Sequence, residues 1–134
     1  MSSQKRILVT GAGGFIGHHL VKRLKADGHW VRGADIKYPE YESSAADEFE
    51  ILDLRKVENC EMATREGIDE VYNLAADMGG IGYITAFHAD ISRNNILINA
   101  NMLEASRQNG VKRFLFSSSA CVYNQAKQKD PDVK

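Results

Sequence analysis

Cysteine is scarce: Cys60 and Cys121 are the only two in 134 residues, and neither has partners at metal-ligand spacing. A disulfide framework and a zinc cluster are therefore excluded as organising principles, and both residues read as reduced thiols of a cytosolic protein. Charge of one sign is lacking as well. Seventeen basic residues stand against 18 acidic ones, the net charge is −1, and like charges do not run together. That balance suits neither a nucleic-acid surface driven by counterion release nor a polybasic membrane anchor. Apolar runs last only a few residues, far short of the roughly 20 that span a bilayer. The opening Met1-Ser2-Ser3-Gln4-Lys5-Arg6 passes directly into Ile7-Leu8-Val9, which leaves no room for a secretory apolar region. What is present is ordinary. With 43% hydrophobic and 26% charged residues, the chain has the make-up and length of one domain around one core. A cytoplasmic protein without membrane or nucleic-acid contacts is expected.

The order of elements can be read from changes in apolar period. Arg6–Thr10 is a run of consecutive apolar residues, as in a strand buried on both faces, and it stops at Gly11-Ala-Gly-Gly14. From Phe15 the period becomes helical, with Ile16, Leu20, Val21 and Leu24 on one side. Gly28 supplies a C-cap, so a helix is expected from about Gly14 to Asp27. His29–Asp35 reads as a second strand weakened by Gly33, residues 37–48 as a loop, and Phe49–Asp53 as a third strand. A modest helix from Leu54 to about Glu66 ends at Gly67, and Glu70–Ala75 is a fourth strand. Ile91, Asn94, Asn95, Ile98, Met102 and Ala105 mark a long helix from about Ala89 to Asn109, closed by Gly110. Val111–Ser117 is a fifth strand, and 124–134 is a polar tail without core signal. Strands alternating with helices predict an α/β fold, a doubly wound parallel sheet of about five strands. Between the second and third strands the sequence offers a loop where a crossover helix is usual.

Gly11-Ala-Gly-Gly-Phe-Ile-Gly17 carries glycines spaced G-x-x-G-x-x-G, with Gly13 in addition. Its context is a buried strand before and an amphipathic helix after. In that setting Gly11 permits the tight turn, Gly14 lets a pyrophosphate approach the backbone, and Gly17 lets helix and sheet pack closely. The helix N-terminus then offers free N–H groups and partial positive charge to a diphosphate. Asp35 ends the second strand, where a carboxylate accepts hydrogen bonds from an adenosine ribose and repels a 2′-phosphate. Arg32 and Lys37 are close enough in sequence to blur that preference. Asp53 has two readings, a contact to the adenine amino group and an N-cap for the helix that follows. Of the histidines, His18 and His19 face different sides of their helix, and His29 and His88 are isolated, so no metal site is expected.

Taken together, Thr10–Gly17, Asp35, Asp53-Leu-Arg55, Asn73-Leu-Ala-Ala76 and Phe116-Ser-Ser-Ser119 resemble the extended short-chain dehydrogenase/reductase family, the NAD-dependent epimerases and dehydratases. Within it, Ala75-Ala-Asp-Met-Gly-Gly-Ile-Gly82 and Ser118-Ser-Ala-Cys-Val-Tyr123 are most similar to the GDP-mannose 3,5-epimerase group. The resemblance runs from Arg6 to about Tyr123. It implies a Rossmann-like domain over 1–123 and an NAD-dependent nucleotide-sugar epimerase acting on GDP-mannose, as a homodimer. The sugar is oxidised at C4, which acidifies the C–H bonds at C3 and C5 for proton exchange, and the hydride is then returned. By position, Gly11, Gly14, Phe15, Ile16, Gly17, Asp35 and Asp53 hold NAD, with Ala75 and Ala76 on the nicotinamide-ribose side. Gly79, Gly80, Ser119, Ala120 and Cys121 contact the substrate; Ser119 bonds the C4 oxygen and Cys121 transfers a proton.

The residues alone leave Cys121 open. It follows the carboxyl end of a strand, and a thiol with a pKa near 8.5 can be tuned for proton transfer; equally, free cysteine is a common packing residue. Cys60 reads as packing. Tyr123-Asn-Gln-Ala-Lys127 has the Tyr-x-x-x-Lys spacing of the family's catalytic pair, but residues 124–134 lack the apolar periodicity of the helix that carries it. The pair and the substrate-binding domain are therefore expected beyond Lys134, with the chain an N-terminal portion that is inactive alone. Two alternatives stay open: another nucleotide-sugar epimerase, or a dehydratase or decarboxylase, of the same superfamily, with Cys121 counting against the latter two, and a non-catalytic NAD-sensing domain.

Overall fold

A computed structural model describes residues 3–77 and 86–118 of the chain. Strand β1 (Arg6–Thr10) divides its consecutive apolar residues between two cores. Ile7 and Val9 face helix α1 (Phe15–Ala26), which presents Val21 and Leu24. Leu8 faces the opposite side, where helix α2 (Val57–Ala63) brings Cys60 and Ala63, and helix α3 (His88–Gln108) brings Ile98, Met102 and Ala105. Each fully buried aliphatic side chain in such a core is worth roughly 1.5–3 kcal/mol. Strands β2 (Trp30–Asp35), β3 (Glu48–Ile51), β4 (Glu70–Asn73) and β5 (Arg113–Phe116) complete one parallel sheet, ordered β3-β2-β1-β4-β5. The expected parallel α/β sheet, covered on both faces, is what forms.

The strand order reverses beside β1. The chain moves outward through β2 and β3, then returns to lay β4 on the other side of β1. Loops leaving the carboxyl ends of β1 and β4 therefore part company, and a crevice opens between them. The two long helices stop as their glycines predict. Beyond α1, Gly28 has φ +88° and donates to Lys25 O, while His29 donates to Leu24 O; Gly110, φ +75°, and Val111 repeat the pattern with Arg107 and Ser106. Both are Schellman closures, for which a residue without Cβ is the easiest occupant of the left-handed position.

Three sequence expectations change. Gly33 does not weaken β2, because the Phe49 ring of β3 and the Ala12 methyl occupy the space a β-carbon would need. Strand β3 ends at Ile51, and α2 begins only at Val57 with Lys56 at its N-cap, so Asp53 is not the helix cap. Its Oδ1 instead accepts the Arg55 N–H at 3.1 Å, a local turn that delays the helix. As the loop reading allows, residues 36–47 join β2 to parallel β3 without a helix. Glu42 fastens that connection to α1, accepting from Lys22 at 2.8 Å and meeting His18 Nε2 at 2.7 Å. The Lys22 ammonium and His18 hold the Glu42 carboxyl down to about 2.

Arg32 is the third change. It is fully buried, beside Leu8 in the sheet. Its Nη1 donates to Ala63 O and Arg65 O, Nη2 to Glu66 and Nε to Glu48, with Glu50 at 3.2 Å. A guanidinium can satisfy this many acceptors because its donors lie in a rigid plane. Arg32 thus ties β2 and β3 to the end of α2, and its guanidinium is engaged there. Arg32→Gln should lower unfolding free energy by about 3 kcal/mol, the low end for breaking a buried pair, since Glu48 and Glu66 reach water. Urea denaturation of the two proteins checks this; a change below 1 kcal/mol would contradict it.

Candidate functional site

The turn after β1 is built by close main-chain approaches. Gly11 has φ +69°, and a β-carbon there would lie 2.8 Å from Leu74 C. Gly13 sits under the end of β2, where a β-carbon would come within 2.2 Å of Lys37 O. In exchange, the Gly13 N–H donates to Asp35 Oδ2 at 2.8 Å, and the Ile36 N–H donates to Oδ1 at 2.6 Å. Both oxygens of Asp35 are thus aimed by backbone donors, with lone pairs left over for a ligand. Gly17 packs on Gly11, with 2.1 Å between its added β-carbon and Gly11 O, so it serves helix–loop packing. At Gly14 the only atom of the described residues near an added β-carbon is Gly11 O at 3.4 Å. Packing among the described residues does not demand a glycine there; what its bareness leaves is room in the crevice.

That crevice is a groove of about 580 Å³, lined by Gly11, Gly14, Asp35, Ile36 and Lys37 at one end. Leu52 to Arg55 and Ala75 to Asp77 form its walls, with Asn94 and Ile98 of α3 closing it. The size is that of a small-molecule site. Asp53 lies on the wall, gripped by Arg55: Nε donates to Oδ1 at 2.9 Å and Nη2 to Oδ2 at 2.8 Å. The Arg55 guanidinium holds the Asp53 carboxyl below the ordinary range, and Asp53 in turn raises Arg55. Asp53 is therefore an acceptor at every working pH. On the opposite wall, Thr10 Oγ1 accepts the Ala75 N–H at 3.0 Å and donates to Asn73 Oδ1 at 2.7 Å.

Of the cofactor residues expected from sequence, Gly11, Gly14, Asp35, Asp53, Ala75 and Ala76 come together in the groove. Phe15 and Ile16 do not line it; their side chains are 81% and 69% exposed, and what they offer is main-chain N–H at the first turn of α1. Gly79, Gly80, Ser119, Ala120 and Cys121, together with Tyr123, Lys127 and the tail, lie outside the described residues. Four residues add to those expected: Gly13, whose N–H aims Asp35; Arg55, which holds Asp53; and Asn94 and Ile98 of α3. The extra glycine at 13 was the available signal for the first. Among the described residues no group of three His, Cys, Asp or Glu side chains could hold a metal ion, and no helix is long and apolar enough to cross a membrane.

A parallel sheet with a glycine turn at its switch point, an N-terminal helix end and an aimed acid at the next strand define a Rossmann-type domain. Comparison with known proteins makes this more specific. The chain belongs to the NAD dependent epimerase/dehydratase family, which it matches over residues 7–134. It is 51% identical over 129 residues to GDP-mannose 3,5-epimerase of Arabidopsis thaliana, covering 95% of this chain and 34% of that protein. To GDP-mannose 3,5-epimerase 1 of Oryza sativa subsp. japonica it is 50% identical, covering 98% and 35%. The chain thus spans about a third of the length of these relatives. Among solved structures, the UDP-glucose 4-epimerase of Stenotrophomonas maltophila, described with bound NAD and formylated UDP-arabinopyranose, superposes with a TM-score of 0.79 at 29% identity. That match covers 97% of this chain and 41% of the other.

Cys60, read as packing, is completely buried beneath the groove wall, with Sγ 3.1 Å from Leu54 O. Burial pushes its thiol up to about 12, and Asp53, Glu61 and Glu58 add to the effect. Since the thiolate is the reactive form, Cys60 in the native protein should resist iodoacetamide at pH 8 and be alkylated once the fold is opened in denaturant. Peptide mass mapping reads this directly; rapid native alkylation at Cys60 would contradict the burial.

Proposed function

We propose that the chain binds NAD in this groove and serves a nucleotide-sugar epimerase of the GDP-mannose 3,5 type. The observation that carries the cofactor reading is the Asp35 carboxylate, aimed by Gly13 and Ile36 N–H groups at one end of a groove floored by Gly11 and Gly14. An anion held in place there accepts from two ribose hydroxyls and repels a 2′-phosphate, which favours NAD over NADP. With Arg32 committed elsewhere, Lys37 is the cation that the described residues place beside this end of the groove. The bare main chain at Gly14 and the first N–H groups of α1 at Phe15, Ile16 and Gly17 suit the pyrophosphate. Asp53, kept ionised by Arg55, accepts from the adenine amino group, and Ala75 and Ala76 face the nicotinamide ribose. Bound there, NAD supplies reversible hydride transfer at a sugar carbon.

The substrate class rests on similarity. About half of the residues are shared with the two plant GDP-mannose 3,5-epimerases, and the Ala75–Gly82 and Ser118–Tyr123 motifs resemble that group. In this reading Ser119 bonds the C4 oxygen, and Cys121 exchanges a proton at a carbon next to it. Gly79, Gly80 and Ala120 let the sugar approach. A thiol is suited to this because its pKa lies within reach of neutrality, where a group that both takes and returns a proton works best. A cytoplasmic homodimer belongs to the same reading.

Two measurements test it. Asp35→Ala should weaken NAD by about 10- to 100-fold, the worth of hydrogen bonds to a charged group, while affecting NADP much less; equal losses by calorimetry would sink the ribose assignment. In a preparation that epimerises GDP-mannose, Cys121→Ser should cut solvent deuterium incorporation at C3 and C5 by roughly 10²–10⁴-fold. Undiminished incorporation in a folded variant would end the proton-transfer role.

A further inference from the structure

The Ala75–Asp77 wall of the groove has no strand to hold it, since β4 ends at Asn73. A segment leaving a sheet carries N–H and C=O groups that must find other partners. Here side chains take them. Thr10 accepts from Ala75 N–H, as described above. Asn95 takes both main-chain groups of Asp77 at once: its Oδ1 accepts the Asp77 N–H at 2.7 Å and its Nδ2 donates to Asp77 O at 3.2 Å. A carboxamide carries donor and acceptor side by side on one planar group, which suits it to this. The neighbouring Asn94 donates to Asp77 Oδ2 at 2.8 Å, so side chain and main chain of Asp77 are both tied to α3.

The same helix repeats the device. Asn99 Oδ1 accepts from Asn73 Nδ2 at 3.0 Å, and Asn101 Nδ2 donates to Arg55 O at 3.2 Å. Asparagine is a poor helix former, so asparagines at 94, 95, 99 and 101 weaken α3 as a helix. All four are engaged with segments at or beside the groove, on both of its walls. The burial of α3 rests on Ile91, Ile98, Met102 and Ala105 instead.

We propose that Asn95, with Asn94, is a positioning residue for the dinucleotide: its two-sided clamp on Asp77 sets where the Ala75–Ala76 wall stands. This rests on the NAD reading above. Asn95 touches no ligand in this account; it acts through the main chain of the wall. Loss of the clamp leaves α3 packed and β4 paired, and frees a wall whose place then has to be found at the moment of binding, which lowers affinity.

Two variants test it. Asn95→Leu removes both hydrogen bonds, and Asn95→Asp, nearly isosteric, keeps the acceptor while setting a carboxylate against the Asp77 carbonyl. Each should raise the NAD Kd by about 10-fold in calorimetric titration. Each should also speed hydrogen exchange of the Ala75–Asp77 amides with β4 unchanged, and added NAD should restore protection there. Ser106→Ala, which removes a buried bond to Met102 O on the same helix, should lower the thermal midpoint with the NAD Kd unmoved. Variants that bind NAD like the unaltered chain, or a loosened wall with unchanged affinity, overturn the assignment alone. An unaltered chain that binds no NAD overturns the cofactor reading and this one together.

Discussion

The rest of the site depends on how closely the main chain after β1 can approach its neighbours. Gly11 lies against the Leu74 carbonyl carbon, Gly13 under Lys37 O and Gly17 against Gly11 O, each at a distance that leaves no space for a methyl group. These approaches draw the ends of β1, β2 and β4 together at one edge of the sheet. They also bring the Gly13 N–H to the Asp35 carboxylate. A single β-carbon at Gly13 or Gly17 would part these segments, and the acid would lose its aim. Gly14 differs, because its bareness faces the groove and not the protein.

Around this turn the fold spends polar groups in two places with opposite consequences. Arg32 is buried and fully engaged with carbonyl oxygens and glutamates at the far end of α2. It stabilises the β2–β3 edge, which has no crossover helix to cover it. Asp35, Asp53 and Asp77 are only partly buried and line the groove. Each is held by donors from its own neighbourhood, so each keeps its orientation without being sealed from a ligand. An acid that is held but still reachable is what a binding wall needs.

Helix α3 joins the two roles. Its apolar face anchors it to the sheet through Ile98, Met102 and Ala105, and its asparagines reach Asn73, Asp77 and Arg55. The walls of the groove are therefore referenced to a rigid element. The wall residues Arg55 and Asp77 share that frame although neither belongs to a strand.

The sequence by itself determined the parallel sheet, because consecutive apolar residues in β1 and helical periods in α1 and α3 admit few other arrangements. It also determined the glycine turn after β1 and the acid at the end of β2, since glycine spacing and the strand-end position are local features. It suggested a loop over 37–48 through the turn residues Tyr38-Pro39-Glu40 and several charges, and 36–47 is that connection. Tertiary structure alone decided the rest. Whether Arg32 faces the groove or the core depends on which sheet face Leu8, Ala34 and α2 share, and local pattern is silent on that. Asp53 looked equally like a helix cap, and only the turn at Arg55 and the later start of α2 separated the readings. Gly13 and Asn95 act through partners 22 and 18 positions away in the chain. Hydrogen bonds across such separations leave no periodic trace in sequence, because the geometry that creates them exists only once the strands are paired.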